Sequence, residues 1–226
     1  MKAKLWYRCL MRHLAALALA LSPLPAFACG AAVCLVDPDS LALPETITFT
    51  ETRSGYGPGH PVDDVLALSG ARFGERFAGQ TLTAAGPHDA VEGPAFGPLT
   101  LLAGEEGQNL SVVSFMGIAV LSGYGRAGFP KRDAQGEGAI AILFDRDQSG
   151  LAIDLRGGEE GRAEVLFLRR DGTLLAQVPV DPVGEFSVGF LRMEDAADIA
   201  GVVVNNTDPQ GIAIDTIRFG KVPDLS

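Results

Sequence analysis

Ile212-Ala213-Ile214-Asp215-Thr216-Ile217-Arg218-Phe219 follows directly on Asn205-Asn206-Thr207-Asp208-Pro209-Gln210-Gly211. The earlier seven residues are turn chemistry: Asn and Asp bond their own backbone, Pro presets a bend, and Gly permits left-handed backbone. The later eight alternate. Successive side chains of a strand point to opposite faces, so Ile212, Ile214, Thr216 and Arg218 share one face and Ala213, Asp215, Ile217 and Phe219 the other. A carboxylate among apolar neighbours needs a partner, and Asp215 is the odd residue of an ordinary strand.

The same sequence of turn and short apolar run recurs through the chain. Residues 46–51 read as the first strand, with Ile47, Phe49 and Glu51 on one face. Further strands are predicted at 65–68, 71–77, 99–102, 110–115, 117–121, 139–145, 151–155, 163–169, 173–180, 185–191, 199–204 and 212–219. Asp171-Gly172 between two apolar runs is the strongest hairpin signal, and Asp147-Gln148-Ser149-Gly150 reads as a second hairpin turn. Residues 54–61, 86–97 and 123–138 are loops rich in Gly and Pro. Short strands about 8–12 residues apart, with turn signals between them, predict an all-β sandwich or barrel.

The first 28 residues read as a secretory signal. Lys2, Lys4, Arg8 and Arg12 precede an apolar run at 14–21, and Ala26-Phe27-Ala28 fits the small-x-small cleavage rule. The run is shorter than the roughly 20 residues needed to span a bilayer. Cleavage after Ala28 predicts a secreted or periplasmic protein with no membrane span. It also leaves 14 Lys and Arg (18 less those four) against 28 Asp and Glu, a net charge of −14 in place of −10. So acidic a chain repels phosphate backbones, which argues against nucleic acid as a partner. Cys29 and Cys34 remain near the new N-terminus. A disulfide is the expected state in an oxidising compartment, and lipid anchoring at Cys29 is the rival reading.

Signatures of catalysis are missing. There is no Gly-x-Ser-x-Gly elbow, no His-Glu-x-x-His pair, no P-loop and no dinucleotide fingerprint. His60 and His88 lie in Gly/Pro-rich loops near Asp63, Asp64 and Asp89. They are expected to be solvated, because no ligand spacing accompanies them. Asp145-Arg146-Asp147-Gln148-Ser149-Gly150 has the alternating oxygens of half a calcium loop without the later Glu. Loop aromatics are the other lead. Tyr124, Arg126 and Phe129 share one locally basic loop with Lys131 and Arg132, and aromatic faces beside charged donors suit sugars or acidic ligands. The equal alternative is that Phe129 packs the loop onto the core. Tyr56 is a further loop aromatic.

Short motifs give a resemblance. Ile47-Thr48-Phe49-Thr50-Glu51, Ile142-Leu143-Phe144-Asp145, the run 165–174 and Gly211-Ile212-Ala213-Ile214-Asp215-Thr216-Ile217-Arg218-Phe219 resemble bacterial secreted β-sandwich proteins of the PEP-CTERM-associated type, akin to carbohydrate-binding modules, without the sorting tail. The resemblance covers roughly residues 45–219. It implies a jelly-roll β-sandwich of about ten to twelve short antiparallel strands, with the first and last strands adjacent and sharing a structural calcium ion. Glu51 and Asp215 are the ligands this implies, and a carboxylate capping backbone amides or bonding Arg53 or Arg218 is the alternative. The expected organisation is a signal at 1–28, a leader at 29–44 carrying the Cys29–Cys34 disulfide, and one domain at 45–226. The expected function is non-catalytic binding of a glycan or another extracellular ligand through the loops. The alternatives are an adhesive envelope protein acting on protein partners, or a hydrolase using loop His and carboxylates.

Overall fold

The computed structural model describes residues 29–86, 88–158, 160–181, 185–194 and 196–223. The signal assigned to 1–28 lies outside the described residues. Two antiparallel sheets face each other. In chain-order numbering, the first sheet runs β1 (Val33–Val36), β16 (Ser187–Arg192), β13 (Gly150–Gly157), β18 (Ile212–Gly220), β11 (Ile118–Gly123), β10 (Leu110–Phe115), β3 (His60–Val62), with β2 (Glu45–Thr48) also paired to β18. The second runs β15 (Leu174–Val180), β14 (Ala163–Leu168), β17 (Ile199–Asn206), β12 (Ile140–Gln148), β5 (Ala71–Gly74), β4 (Leu66–Leu68). Two small ribbons complete the set: β6 (Arg76–Phe77) with β9 (Leu101–Leu102), and β7 (Thr81–Ala85) with β8 (His88–Glu92).

The all-β sandwich follows the expectation, and the strand expected to open the domain, β2, lies beside the last, with Ile47 opposite Ile217. The described strands number eighteen, more than ten to twelve, because several are only two to four residues long. The Asp171-Gly172 hairpin joins β14 to β15 as expected. The turn at 147–150 does not make a hairpin. β12 and β13 belong to different sheets, so this stretch is an arch between them, with Gln148 and Ser149 buried in its bend. Part of the stretch read as a leader joins the sandwich, because β1 pairs with β16 along its whole length. Cys29 and Cys34 are disulfide-bonded, as expected.

Three aromatic pairs bridge the two sheets: Phe49–Phe73 at 5.4 Å between centroids, Phe144–Phe219 at 5.1 Å and Phe167–Phe190 at 5.1 Å. All six are buried, and rings at these separations add to the burial of their area. A second apolar cluster lies on the other face of the second sheet. Residues 75–102 fold across that face and set Phe77, Val91, Leu99 and Leu101 against Ala141, Leu143, Leu166, Leu168 and Val203. A strand buried on both faces loses its alternation, which is why every residue of β17 is buried. Residues 75–102 cover only part of that face: β15 at the sheet's edge stays largely exposed, with Gln177 bonding Glu164 on the surface.

Asp215 is the clearest departure from simple alternation. Asp154 pairs with Thr216 and Leu155 with Ile214, so Asp215 is the extra residue of a β-bulge. The bulge shifts the phase of β18. Ile212 and Ile214 before it, and Ile217 and Phe219 after it, all enter the core. Asp215 is thereby turned to the outer face and does not share a face with Ile217 and Phe219.

Leu143 points away from the main core yet is only 2% exposed. Leu143→Ala is therefore expected to cost about 2–5 kcal/mol, as a true core truncation does. Urea unfolding measures this, and a loss within about 0.5 kcal/mol, the range of a surface change, would show that residues 75–102 do not form a packed third layer.

Candidate functional site

The loop between β11 and β12 builds the site, although not with the side chains expected to do so. Tyr124 is 1% exposed; its hydroxyl donates to the Pro58 carbonyl at 2.9 Å, and its ring lies 5.6 Å from that of Phe129. Burial raises its phenol above the usual range. Of the two readings of Phe129, the structure supports packing, since the half-buried ring lies against buried Tyr124. Arg126 reaches back from the surface to the buried Asp89 carboxylate, with Nη2 at 3.0 Å and Nε at 3.3 Å. These three residues anchor the loop. Tyr56, by contrast, is 85% exposed on the loop that crosses β10.

The anchored loop then delivers Arg132, Gln135 and Gly136 to the outer face of the first sheet. There they border a depression of about 270 Å³ with Ser122 of β11, Arg156 and Gly157 of β13, and Gln210 and Gly211 before β18. Its floor requires close backbone approach. A Cβ on Gly136 would sit 2.7 Å from the Ile212 nitrogen, and one on Gly211 would sit 2.5 Å from the Gln135 carbonyl oxygen. Both glycines also hold positive φ, which side-chain-bearing residues adopt at a cost. The Gly136 carbonyl accepts from the Ile212 amide at 3.2 Å and from Asn206 Nδ2 at 2.8 Å.

Asp215 borders this region through Arg156. Nε and Nη2 of Arg156 donate to one carboxylate oxygen of Asp215 at 3.0 and 2.6 Å. These hydrogen bonds raise Arg156 above the usual guanidinium range. The partner the structure gives Asp215 is thus Arg156, and Glu51 stands exposed in the turn after β2. Among the described residues no three His, Cys, Asp or Glu side chains gather as a metal site would require.

His60 lies half-buried in β3. His88 departs from the expectation of a solvated loop residue. It is buried in β8 and its Nδ1 pairs with the buried Glu137 carboxylate, while the Glu137 carbonyl accepts from the Asp89 amide at 3.1 Å. Glu137 immediately follows the floor residue Gly136, so this pair holds the depression from beneath. Burial pushes the Glu137 carboxyl above its ordinary value, opposed by His88 and aided by Asp208. Sequence reading missed Arg132, Gln135, Arg156 and Gln210 as a group because they come from three separate stretches of chain. The one signal of the group in the sequence is the basic loop that carries Arg132.

A second depression, about 380 Å³, lies at the opposite end among Leu41, Arg192, Met193 and Val222. Its buried guanidinium is already engaged: Arg192 bonds Asp198, Ala32 and Met193. A third, about 300 Å³, lies beside Glu45, Asp145 and Gln148. No helix among the described residues is long and apolar enough to cross a membrane.

No protein-family model matches the chain, and no curated protein matches it. Among solved structures it is similar to a family 6 carbohydrate-binding module from Clostridium stercorarium in complex with cellobiose. That likeness is 17% in identity over 50% of this chain and 82% of that one, with a TM-score of 0.30. It is similar also to two point mutants of family 29 carbohydrate-binding modules, each 13% identical over 52% of this chain, covering 81% and 80% of theirs, with TM-scores of 0.33 and 0.31. Likeness of this degree transfers neither ligand nor residue roles.

A raised carboxyl pKa means that the folded state favours the neutral acid. The contribution of Glu137 to stability is therefore full below its ordinary value of 4.5 and is lost as pH rises through the raised one. Glu137→Gln is expected to gain stability relative to the parent protein between about pH 4 and about pH 8. Urea unfolding across that range checks it, and a constant difference would mean that Glu137 ionises as freely in the folded state as in the unfolded.

Proposed function

We propose that this is a secreted or periplasmic, non-catalytic β-sandwich protein that binds carbohydrate at the depression between the 123–138 loop and β13. The observation that supports this reading is the make-up of the depression. Four planar polar side chains from three chain segments, Arg132, Gln135, Arg156 and Gln210, surround a floor of glycine backbone and the Ser122 hydroxyl. Sugar hydroxyls both donate and accept. Side-chain amides offer both functions, guanidinium groups add donors, and peptide groups at glycines can be approached closely. At about 270 Å³ the depression lies just below the usual range of ligand sites, about 300 to 1,000 Å³, a size for a single sugar ring. The Cys29–Cys34 disulfide supports an oxidising compartment.

Gln135 and Gln210 line the depression from two adjacent segments and have no side-chain partner among the described residues. The Gln135→Ala/Gln210→Ala double variant should therefore keep its melting temperature and bind soluble oligosaccharides at least about tenfold more weakly, the equivalent of one good hydrogen bond or more. Met116→Ala, at an exposed turn, is the control. Calorimetric titration over an oligosaccharide panel measures both. The proposal fails if no saccharide binds, or if the double variant binds as the parent does.

A further inference from the structure

We infer that the sugar held in this depression carries a carboxylate, so that the ligand is a uronate-bearing glycan with few charges. The inference rests on the carbohydrate reading above and adds the chemistry of the recognised unit.

The argument starts from local charge. Two guanidinium groups line the depression, and among the described residues no Asp or Glu does. Arg132 forms no ion pair among the described residues, although the chain as a whole is acidic, with 28 Asp and Glu against 18 Lys and Arg. Arg156 does have a partner, and its geometry leaves capacity. Only Nε and Nη2 are engaged, both on the same oxygen of Asp215. A guanidinium has five N–H donors, so three remain without a protein acceptor among the described residues. Asp215 thus fixes the plane of the group while its unused edge stays available, and its side chain is 42% exposed. A planar donor fork of this kind matches a carboxylate with two parallel hydrogen bonds.

The acidity of the remaining surface limits the number of charges on the ligand. At physiological salt a charge is screened over about 8 Å, so a carboxylate seated between Arg132 and Arg156 meets two guanidinium groups, of which only Arg156 is ion-paired, to Asp215. A densely charged polyanion would extend beyond the depression onto acidic surface and be repelled. The combination selects an isolated uronate in a mostly neutral glycan over a polyuronate or a nucleic acid.

The test compares matched ligands: xylotetraose, the same tetrasaccharide bearing one glucuronate branch, and a neutral oligosaccharide bearing one sulfate ester in place of the carboxylate. Titrations are made at low and high salt with residues 29–226. The expected result is that the glucuronate form binds about tenfold or more tightly than xylotetraose at low salt, with the gap narrowing as salt rises. Arg132→Gln, which breaks no ion pair among the described residues, should remove most of that gap, costing the glucuronate form far more affinity than the neutral sugar. Arg156→Gln should do the same, and Asp215→Asn should retain the preference, which separates lost recognition from a disturbed strand. Equal binding of neutral and glucuronate forms would overturn the carboxylate inference and leave the carbohydrate reading standing. Preference for the sulfate ester would overturn the carboxylate assignment alone. Binding of none of the three overturns the inference together with the reading on which it rests.

Discussion

A buried amide holds together the end of this sandwich that carries the candidate site. Asn206 is fully buried; its Nδ2 donates to the carbonyls of Gly136 and Asp208, and its Oδ1 accepts from the Asp208 amide at 2.7 Å. Asp208, equally buried, accepts from the amides of Glu160 and Gln210 at 2.8 Å each. Asn205 completes the set by exchanging two hydrogen bonds with the backbone of Val91. Three polar residues within 205–208 thus tie the ribbon of β7 and β8, the 123–138 loop, Glu160 and the start of β18. Each bond alone contributes about 1 kcal/mol, but leaving any of these buried groups unpaired would cost about 1–3 kcal/mol, so the arrangement is held collectively.

That hub explains why the candidate site is rigid although loops form it. The three glycine-containing segments under the depression approach so closely that no side chain fits between them. Asn206 on one side and the His88–Glu137 pair on the other prevent them from separating. Polar groups this deeply buried specify one arrangement of the loops, because any other would leave donors or acceptors unpaired. The sandwich beneath follows from a different force. Its sheets are joined by three aromatic pairs, and one sheet is apolar on both faces because residues 75–102 cover it.

The strands were legible in the sequence because each is local: a few β-branched or aromatic residues between Gly, Pro, Asn and Asp. The Asp171-Gly172 hairpin is local in the same sense, and so is the pairing of 46–49 with 212–219 once both are read as strands with inward Ile and Phe. What depends on distant residues was not legible. The β-bulge that turns Asp215 outward is set by the register against β13, and its partner Arg156 is 59 residues away. His88 reads as a loop residue because nothing nearby in the chain announces Glu137. The 123–138 loop stands out in the sequence for its aromatic and basic residues. The aromatics turned out to anchor it, since Tyr124 finds its acceptor at Pro58, 66 residues earlier. Arg132 and Gln135 reach the surface because the anchors hold.

The central claim is that ligand recognition takes place at the depression floored by Gly136, Gly157 and Gly211. Amide chemical-shift mapping tests it most directly, because those three glycines report from within the floor. On titration with the glucuronate-bearing xylotetraose, the account predicts that the largest shifts fall on Gly136, Gly157, Gly211 and their neighbours, with the Tyr56 loop and residues 75–102 unmoved. Shifts centred on Tyr56, or on any surface that excludes the three glycines, would contradict it.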